Sequence, residues 1–470
     1  MSTTSIGRLV LVSTIAPLTF CLSAQAQIVP DNTLPVSSSV APGCVRCTIE
    51  GGTVRGANLF HSLREFSIPT GGAAWFNNGP TIQTILTRVT GNSISNIDGL
   101  LKTNGTASLF LLNPNGISFG ANARLEIGGS FLASTASSFR FADGTEFSAT
   151  NPQAPPLLAV NLTPGLQFGP KPSGSITNAG SLSAGQDLAL VSGDVNSSGL
   201  LAAPHGQVWV AAVAGDATVQ RAIGQNVLLA ADRNLILEKS QLGAIGDLTL
   251  LAGDTVRVRD SVTEPFVAWA GGNLTVMGQQ GIDILALNHP GAAFQSGGSL
   301  SLISNGVVSG DAHFASGGRF QVLTLAGQPG KFVSLHDPII SSYSDVVLGD
   351  YTGTSLKVET LGNITIGTIA ITGPDTSLVG SDPDIATLRN GSAVILRAGL
   401  TTLDNPPNFG ADTYRITNLG TLPGRGDSSF AYGINEAGQV VGGVGPSQLM
   451  FNGIAPSAVT AIGSQAFLYT

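Results

Sequence analysis

The chain has 470 residues, a net charge of −8 and 11% charged side chains, against about 25% in an ordinary soluble domain. Its 61 glycines are about twice the usual share but follow no Gly-X-Y period, which excludes collagen. The acidic balance argues against a nucleic-acid partner, which needs a basic surface to displace phosphate counterions. Few charges with abundant Ser, Thr and Asn suit short stacked strands with polar turns, and helix formers are not grouped at helical spacing.

Residues 1–26 read as an export signal. Arg8 is their only charge, an apolar run follows from Leu9 to Leu22, and Ala24-Gln25-Ala26 is a small-x-small cleavage site. The run is shorter than the about 20 apolar residues that span a bilayer. A lipid anchor on Cys21 is disfavoured because bulky Phe20 stands where a small residue is required. Beyond the cleavage site only Cys44 and Cys47 remain. Their spacing admits a small disulfide loop, two free thiols or half a zinc site. No second pair supports zinc, no βαβ context supports redox catalysis, and a local disulfide staple is the simplest reading.

From Thr48 to about Thr150 the chain is dense in β-branched and apolar residues broken by Gly and Asn. Asn113-Pro114-Asn115-Gly116 has the chemistry of a tight corner between strands Leu109–Leu112 and Ile117–Phe119. Asn bonds its own backbone, Pro fixes φ, and Gly ends the turn. Several long words stand in order here: Gly56 to Pro69, Ala74 to Gly79, Arg88 to Gly91, Ser95 to Leu100, Phe110 to Gly120 and Ile127 to Ala136. Together they resemble the haemagglutination-activity domain of filamentous haemagglutinin-like exoproteins, the substrates of two-partner secretion, and especially its cyanobacterial branch. The resemblance spans about Cys47 to Gly169. It implies an N-terminal β-helix recognised in the periplasm by an outer-membrane barrel with POTRA domains, and it lends the Asn113–Gly116 corner a role in export. Asn58, Phe60, Phe66, Asn77 and Asn78 are expected as buried rungs and asparagine corners. The family's Asn-Pro-Asn-Leu word has no counterpart after Asn77-Asn78-Gly79.

Proline-rich stretches at Asn151–Pro156 and Pro164–Pro172 mark one boundary, and Asp404–Pro407 a linker. Between them runs a loose repeat of Gly, a polar residue, then apolar-polar-apolar, starting at Gly246, Gly272, Gly298, Gly318 and Gly362. The spacings are 26, 26, 20 and 44 residues, the last being two turns, and an earlier copy starts at Gly206. Each short strand is one-sided: Leu248 and Leu250 face one way and Thr249 the other. A lone strand cannot bury that face, so it must stack on the next copy, ~4.8 Å away. The expected fold is all-β, a right-handed parallel β-helix with a small C-terminal β appendage. Glycine at the corner is expected to take positive φ. About 16 coils would fit between residues 45 and 400, a stack of roughly 75 Å.

No catalytic, metal or cofactor site is visible. His61, His205, His289, His313 and His336 are scattered without ligand spacing. Asp254, Arg257, Arg259 and Asp260 form the densest charged cluster, and a solvated strand face explains them better than a polysaccharide-cutting groove. The tail from Ile416 to Tyr469 resembles a single HAF-type extracellular repeat, and Arg425-Gly426-Asp427 within it is a triplet that recurs by chance.

The expected organisation is a signal peptide at 1–26, the secretion region at 27–170 and β-helix coils at 171–400. A linker at 401–413 and the HAF-like repeat at 414–470 follow. The expected function is a secreted or surface-held adhesin or structural exoprotein that passes through the periplasm. It would touch carbohydrate or another cell-surface ligand. The alternative is a polysaccharide lyase or hydrolase on the same scaffold.

Overall fold

The computed structural model describes residues 27–152, 165–170, 174–289, 291–336 and 339–407, and the backbone of 428–434, 440–445 and 465–469. The export segment, most of the proline-rich boundary and Arg425-Gly426-Asp427 lie outside the described residues. Residues up to Phe409 form one compact unit and Gly410–Thr470 a second. In the second, Ser428–Ile434, Val440–Gly445 and Gln465–Tyr469 pair as an antiparallel sheet. The other residues of the HAF-like stretch lie outside the described ones.

The first unit is a parallel β-helix of about 12 turns. Its strands stack on three faces. The first face runs from Arg46–Gly51 through Ala73–Phe76 and Leu100–Thr103 to Leu356–Thr360 and Val394–Arg397. The second runs from Asn58–Ser67 through Thr84–Val89 and Ser108–Leu112 to Ile364–Thr365. The third runs from Ser95–Ile97 through Ile117–Phe119 to Ile369–Gly373. The turns number fewer than the 16 that length alone allows because two detours leave the stack. One lies between Ser134 and Ser175, and the other between Gly373 and Val394.

The Gly-polar-apolar repeat is a corner followed by a second-face strand. Leu248, Leu274 and Leu300 stack in register, as do Leu250, Val276 and Leu302, and all six are buried. The 44-residue interval is two turns, since Phe320 pairs with Val346 and Val346 with Ile364. The glycines differ from expectation in one respect: Gly246, Gly272, Gly298, Gly318 and Gly362 are not among the positive-φ residues. Close approach is what excludes a side chain there. A β-carbon on Gly272 would lie 2.4 Å from Asp247 Oδ1, and one on Gly318 2.7 Å from the backbone carbon of Gly298.

At the Gly246, Gly272 and Gly298 corners the polar residues carry a ladder of their own. Asn226 Oδ1 accepts from Asp247 N at 2.8 Å, Asp247 Oδ1 from Asn273 N at 2.7 Å, and Asn273 Oδ1 from Ser299 N at 2.9 Å. Corner amides that no strand pairs are thus satisfied by the turn before. Within the core an aromatic column links successive turns through Phe266, Phe294, Phe314, Phe332 and Tyr351, ring centroids 5.0–6.2 Å apart.

The N-terminal end is closed by short antiparallel strands. Strand β1 (Gln27–Pro30) pairs with β5 (Asn58–Ser67), β2 (Ser38–Val40) with β3 (Arg46–Gly51), and β4 (Thr53–Arg55) with β5. Outside the helix, Ser138–Arg140, Glu146–Ser148 and Gly165–Gln167 form a separate antiparallel sheet. Its Phe139, Phe141 and Phe147 cover Phe60, Leu86 and Leu112, which point outward from the second face, in a second apolar core.

Candidate functional site

Three pieces of the N-terminal region hold the singled-out residues. At the corner leading from the second face to the third, Asn113 is fully buried and uses both ends of its amide. Its Nδ2 donates to Ser93 O and Ser95 Oγ, each at 3.0 Å, which ties the corner to the turn below. Its Oδ1 accepts from Asn115 N at 3.0 Å and Asn115 Nδ2 at 2.9 Å. Asn115 Nδ2 also reaches Gly91 O at 2.8 Å. Pro114 holds the bend between them, and Gly116 N closes the turn on Asn113 O at 3.1 Å. Gly116 has φ of 132°, and a β-carbon there would meet Ser175 O of the next turn at 3.2 Å. The positive φ favours glycine, and a β-carbon would also press on the next turn.

A second asparagine corner leads from the first face to the second. Asn78 is buried, and its Oδ1 accepts from Asn104 N at 2.8 Å. Asn77 is exposed and its Oδ1 takes a bond from Asn104 Nδ2 at 3.1 Å. Asn104, in the following turn, also receives Trp75 Nε1 at 2.7 Å. Asn58 opens β5 directly after the tight turn at Gly56-Ala57 and is buried. Phe66 lies in the interior, 6.1 Å from Phe76. Phe60, by contrast, faces outward into the second core. The two asparagine corners lie at different corners of the turn and, among the described residues, have no hydrogen-bond partner in common.

The third piece is Arg88, whose role the sequence reading missed although its word was noted. It projects outward from the second face yet is fully buried. Its Nε donates to Ser62 Oγ at 2.8 Å, Nη1 to Ser148 O at 2.9 Å and Nη2 to Thr33 Oγ1 at 2.9 Å, with Cζ 4.1 Å over the Phe147 ring. One guanidinium therefore joins the N-terminal cap, the stack and the outer sheet. Burial draws Arg88 down to about 10 while Asp31 pulls the other way, so it stays charged at neutral pH. Burial alone would raise Asp31, but hydrogen bonds from Thr33, Thr90 and Ser62 outweigh it and hold the carboxyl below its ordinary value. The available signal was an arginine inside an otherwise apolar and β-branched strand, Thr84–Val89.

Cys44 and Cys47 are joined by a disulfide, with Cα atoms 5.3 Å apart. The loop they close carries Val45, whose carbonyl accepts Ala73 N at 3.0 Å and so starts the first stacked rung.

The charged residues singled out beyond Gly246 do not converge. Arg259 pairs with Asp283 at 2.5 Å, Asp260 holds Asn288 N and Nδ2, both at 2.8 Å, and Arg257 is exposed. Two further polar groups meet unforeseen: His336 Nδ1 lies 3.0 Å from Ser377 Oγ. That hydroxyl and Ser377 N both donate to Asp375 Oδ1, at 2.6 and 3.1 Å, which closes a local turn. Among the described residues no helix is long and apolar enough to cross a membrane.

The sequence model of the TPS secretion domain matches residues 26–276. Two solved structures are similar to the chain. The filamentous hemagglutinin secretion domain is 18% identical, with 79% of this chain and 99% of that one covered and a TM-score of 0.25. The HMW1 secretion domain from Haemophilus influenzae is 13% identical, covers 74% and 98%, and has a TM-score of 0.30. No curated protein matches the chain. All three of these matches are described as secretion domains. With more than half of its residues inside the family's bounds, the chain belongs to the TPS secretion domain family, and is a two-partner-secretion exoprotein exported across the outer membrane.

Proposed function

We propose that this exoprotein is a surface adhesin or structural surface component. We further propose that an outer-membrane barrel with periplasmic POTRA domains recognises its N-terminal turns. The observation that supports this most is the family match over 26–276, which contains the Arg88 junction and both asparagine corners. The Asn113–Gly116 corner is the local structure most suited to carry recognition. It is built from side chains committed to shaping backbone, and it presents Asn115 beside Gly91 at the surface.

The test is export of the full chain in a host with and without the partner transporter, measured as extracellular against periplasmic protein. Asn113→Ala with Gly116→Ala removes four side-chain hydrogen bonds and puts a β-carbon at positive φ. Export should fall about tenfold or more, while the few-kcal/mol loss is confined to one corner of a long stack. Export of the unaltered chain that is indifferent to the transporter would remove the recognition reading.

A further inference from the structure

The second detour, residues 374–393, returns to lie on the outside of the first face at the C-terminal end of the stack. Helix α1 (Ile385–Asn390) rests there through Leu388, which packs with Leu378 and Ile339. Beneath it, strand Leu356–Thr360 alternates in the ordinary way: Leu356 and Val358 enter the core and Lys357 and Glu359 point out. Outward residues are normally solvated, but these two are fully buried. A buried charge is tolerated only when it is paired.

The pairing is dense. Lys357 Nζ lies 2.8 Å from a carboxylate oxygen of each of Asp382, Asp384 and Asp404, and 3.3 Å from Glu359. Arg397 Nη1 reaches Glu359 at 2.6 Å, Asp384 at 2.5 Å and Asp404 at 3.3 Å, and its Nη2 donates to Asp384 Oδ1 at 2.9 Å. Asp404 N donates to Glu359 Oε2 at 3.1 Å, and Asn405 Nδ2 donates to Asp382. Oxygens of Glu359, Asp384 and Asp404 lie within 4.8 Å of one another, the spacing of a metal cage. The ammonium of Lys357 sits among them. Hydrogen bonding from Arg397 brings Asp384 down to about 2, so it is ionised at neutral pH.

The position of the cluster gives it a task. Ile364, Ile366, Ile369 and Ile371 of the last turn are only partly buried against the core. Among the described residues, strands Ile364–Thr365 and Ile369–Gly373 pair on one side only. A stacked structure opens most readily from such an end. The groups of this cluster come from the penultimate turn, the detour, the last first-face strand and the segment after it.

We propose that Lys357 is a built-in cation: its ammonium fills an acid cage that would otherwise call for a divalent metal ion, and so latches residues 374–405 over the final turns without calcium. The latch consists of the two cations Lys357 and Arg397 and the four carboxylates Glu359, Asp382, Asp384 and Asp404. It forms only once the last first-face strand has been laid down, because Arg397 belongs to that strand.

Hydrogen exchange on the full-length protein, read peptide by peptide, tests this. In the unaltered protein, protection of 364–405 should be the same in EDTA and in millimolar calcium. A fall in EDTA would make the cage a metal site and overturn the proposal. Lys357→Met should speed exchange across 374–405 by about tenfold or more, with turns before Phe294 unchanged, and calcium should slow it again by occupying the vacated cage. Exchange as slow as in the unaltered protein overturns the latch. Calcium that fails to restore protection overturns the claim that the ammonium stands in a metal's place. If Lys357→Met does not fold, Arg397→Gln, at a partly exposed partner of the same cage, should give a smaller acceleration confined to 374–405, and no acceleration overturns the latch.

Discussion

Leu274 and Thr275 are adjacent in sequence and opposite in environment. Leu274 is fully buried between Leu248 and Leu300, whereas Thr275 stands on the outer side between Thr249 and Ser301. Leu274→Asp places an unpaired carboxylate in the core and should cost several kcal/mol, while Thr275→Asp should change stability by about 0.5 kcal/mol or less. Comparable loss of folded protein in the two variants, followed by chemical denaturation, would contradict the register. His61 tests the interior in another way. Its ring is buried, with Nδ1 2.9 Å from Ser38 Oγ and no partner on Nε2 among the described residues. Burial lowers its pKa to about 4. Between that value and about 6.5 the unfolded chain binds a proton that the folded chain refuses. Stability should therefore fall as pH drops through that window, by about 3 kcal/mol when complete. Denaturation midpoints from pH 7 to 4, compared with His61→Gln, check it. An equal fall in the variant would assign the acid sensitivity elsewhere.

At the scale of elements, the repeat strands were legible because their alternation has a single buried side, as at Leu248-Thr249-Leu250. Between Ser108 and Leu112 the alternation fails because both sides are covered, Leu109 and Leu111 by the interior and Leu112 by the outer sheet. A strand buried on two faces has no period that a sequence can display, so the outer sheet could not be foreseen. Of the candidate site, the Asn113–Gly116 corner was readable because a turn's chemistry is local. Arg88 and Lys357 were not, since their partners lie up to 60 and 47 residues away. The Cys44–Cys47 element of the N-terminal cap lies between these cases, because proximity is local but oxidation depends on the compartment. The exported protein, alkylated without reductant, should carry no label on either cysteine by mass spectrometry. Labelling of both would show that Val45 is held against Ala73 without the covalent loop.

At the scale of the whole molecule, the β-helical unit treats its two ends differently. The first is sealed by short antiparallel strands with Pro30 at an edge, a device that discourages pairing with other chains. The last is held from the side by charge. Between them the corner ladder has a consequence that strand pairing alone does not. Parallel strands offer donors and acceptors on both edges, so a rung can be approached from either neighbour. The corner side chains do not: Asn226 accepts from Asp247, Asp247 from Asn273 and Asn273 from Ser299, always the earlier residue receiving the later backbone amide. The stack therefore has a sense of travel written into it, like the teeth of a ratchet. At these corners a finished turn displays its vacant side-chain acceptor only toward the C-terminus. A chain laid down from its N-terminus meets at each corner a socket already formed, and a tooth lost at Asp247 would deprive Asn273 of its seat while leaving Asn226 and everything before it as it was.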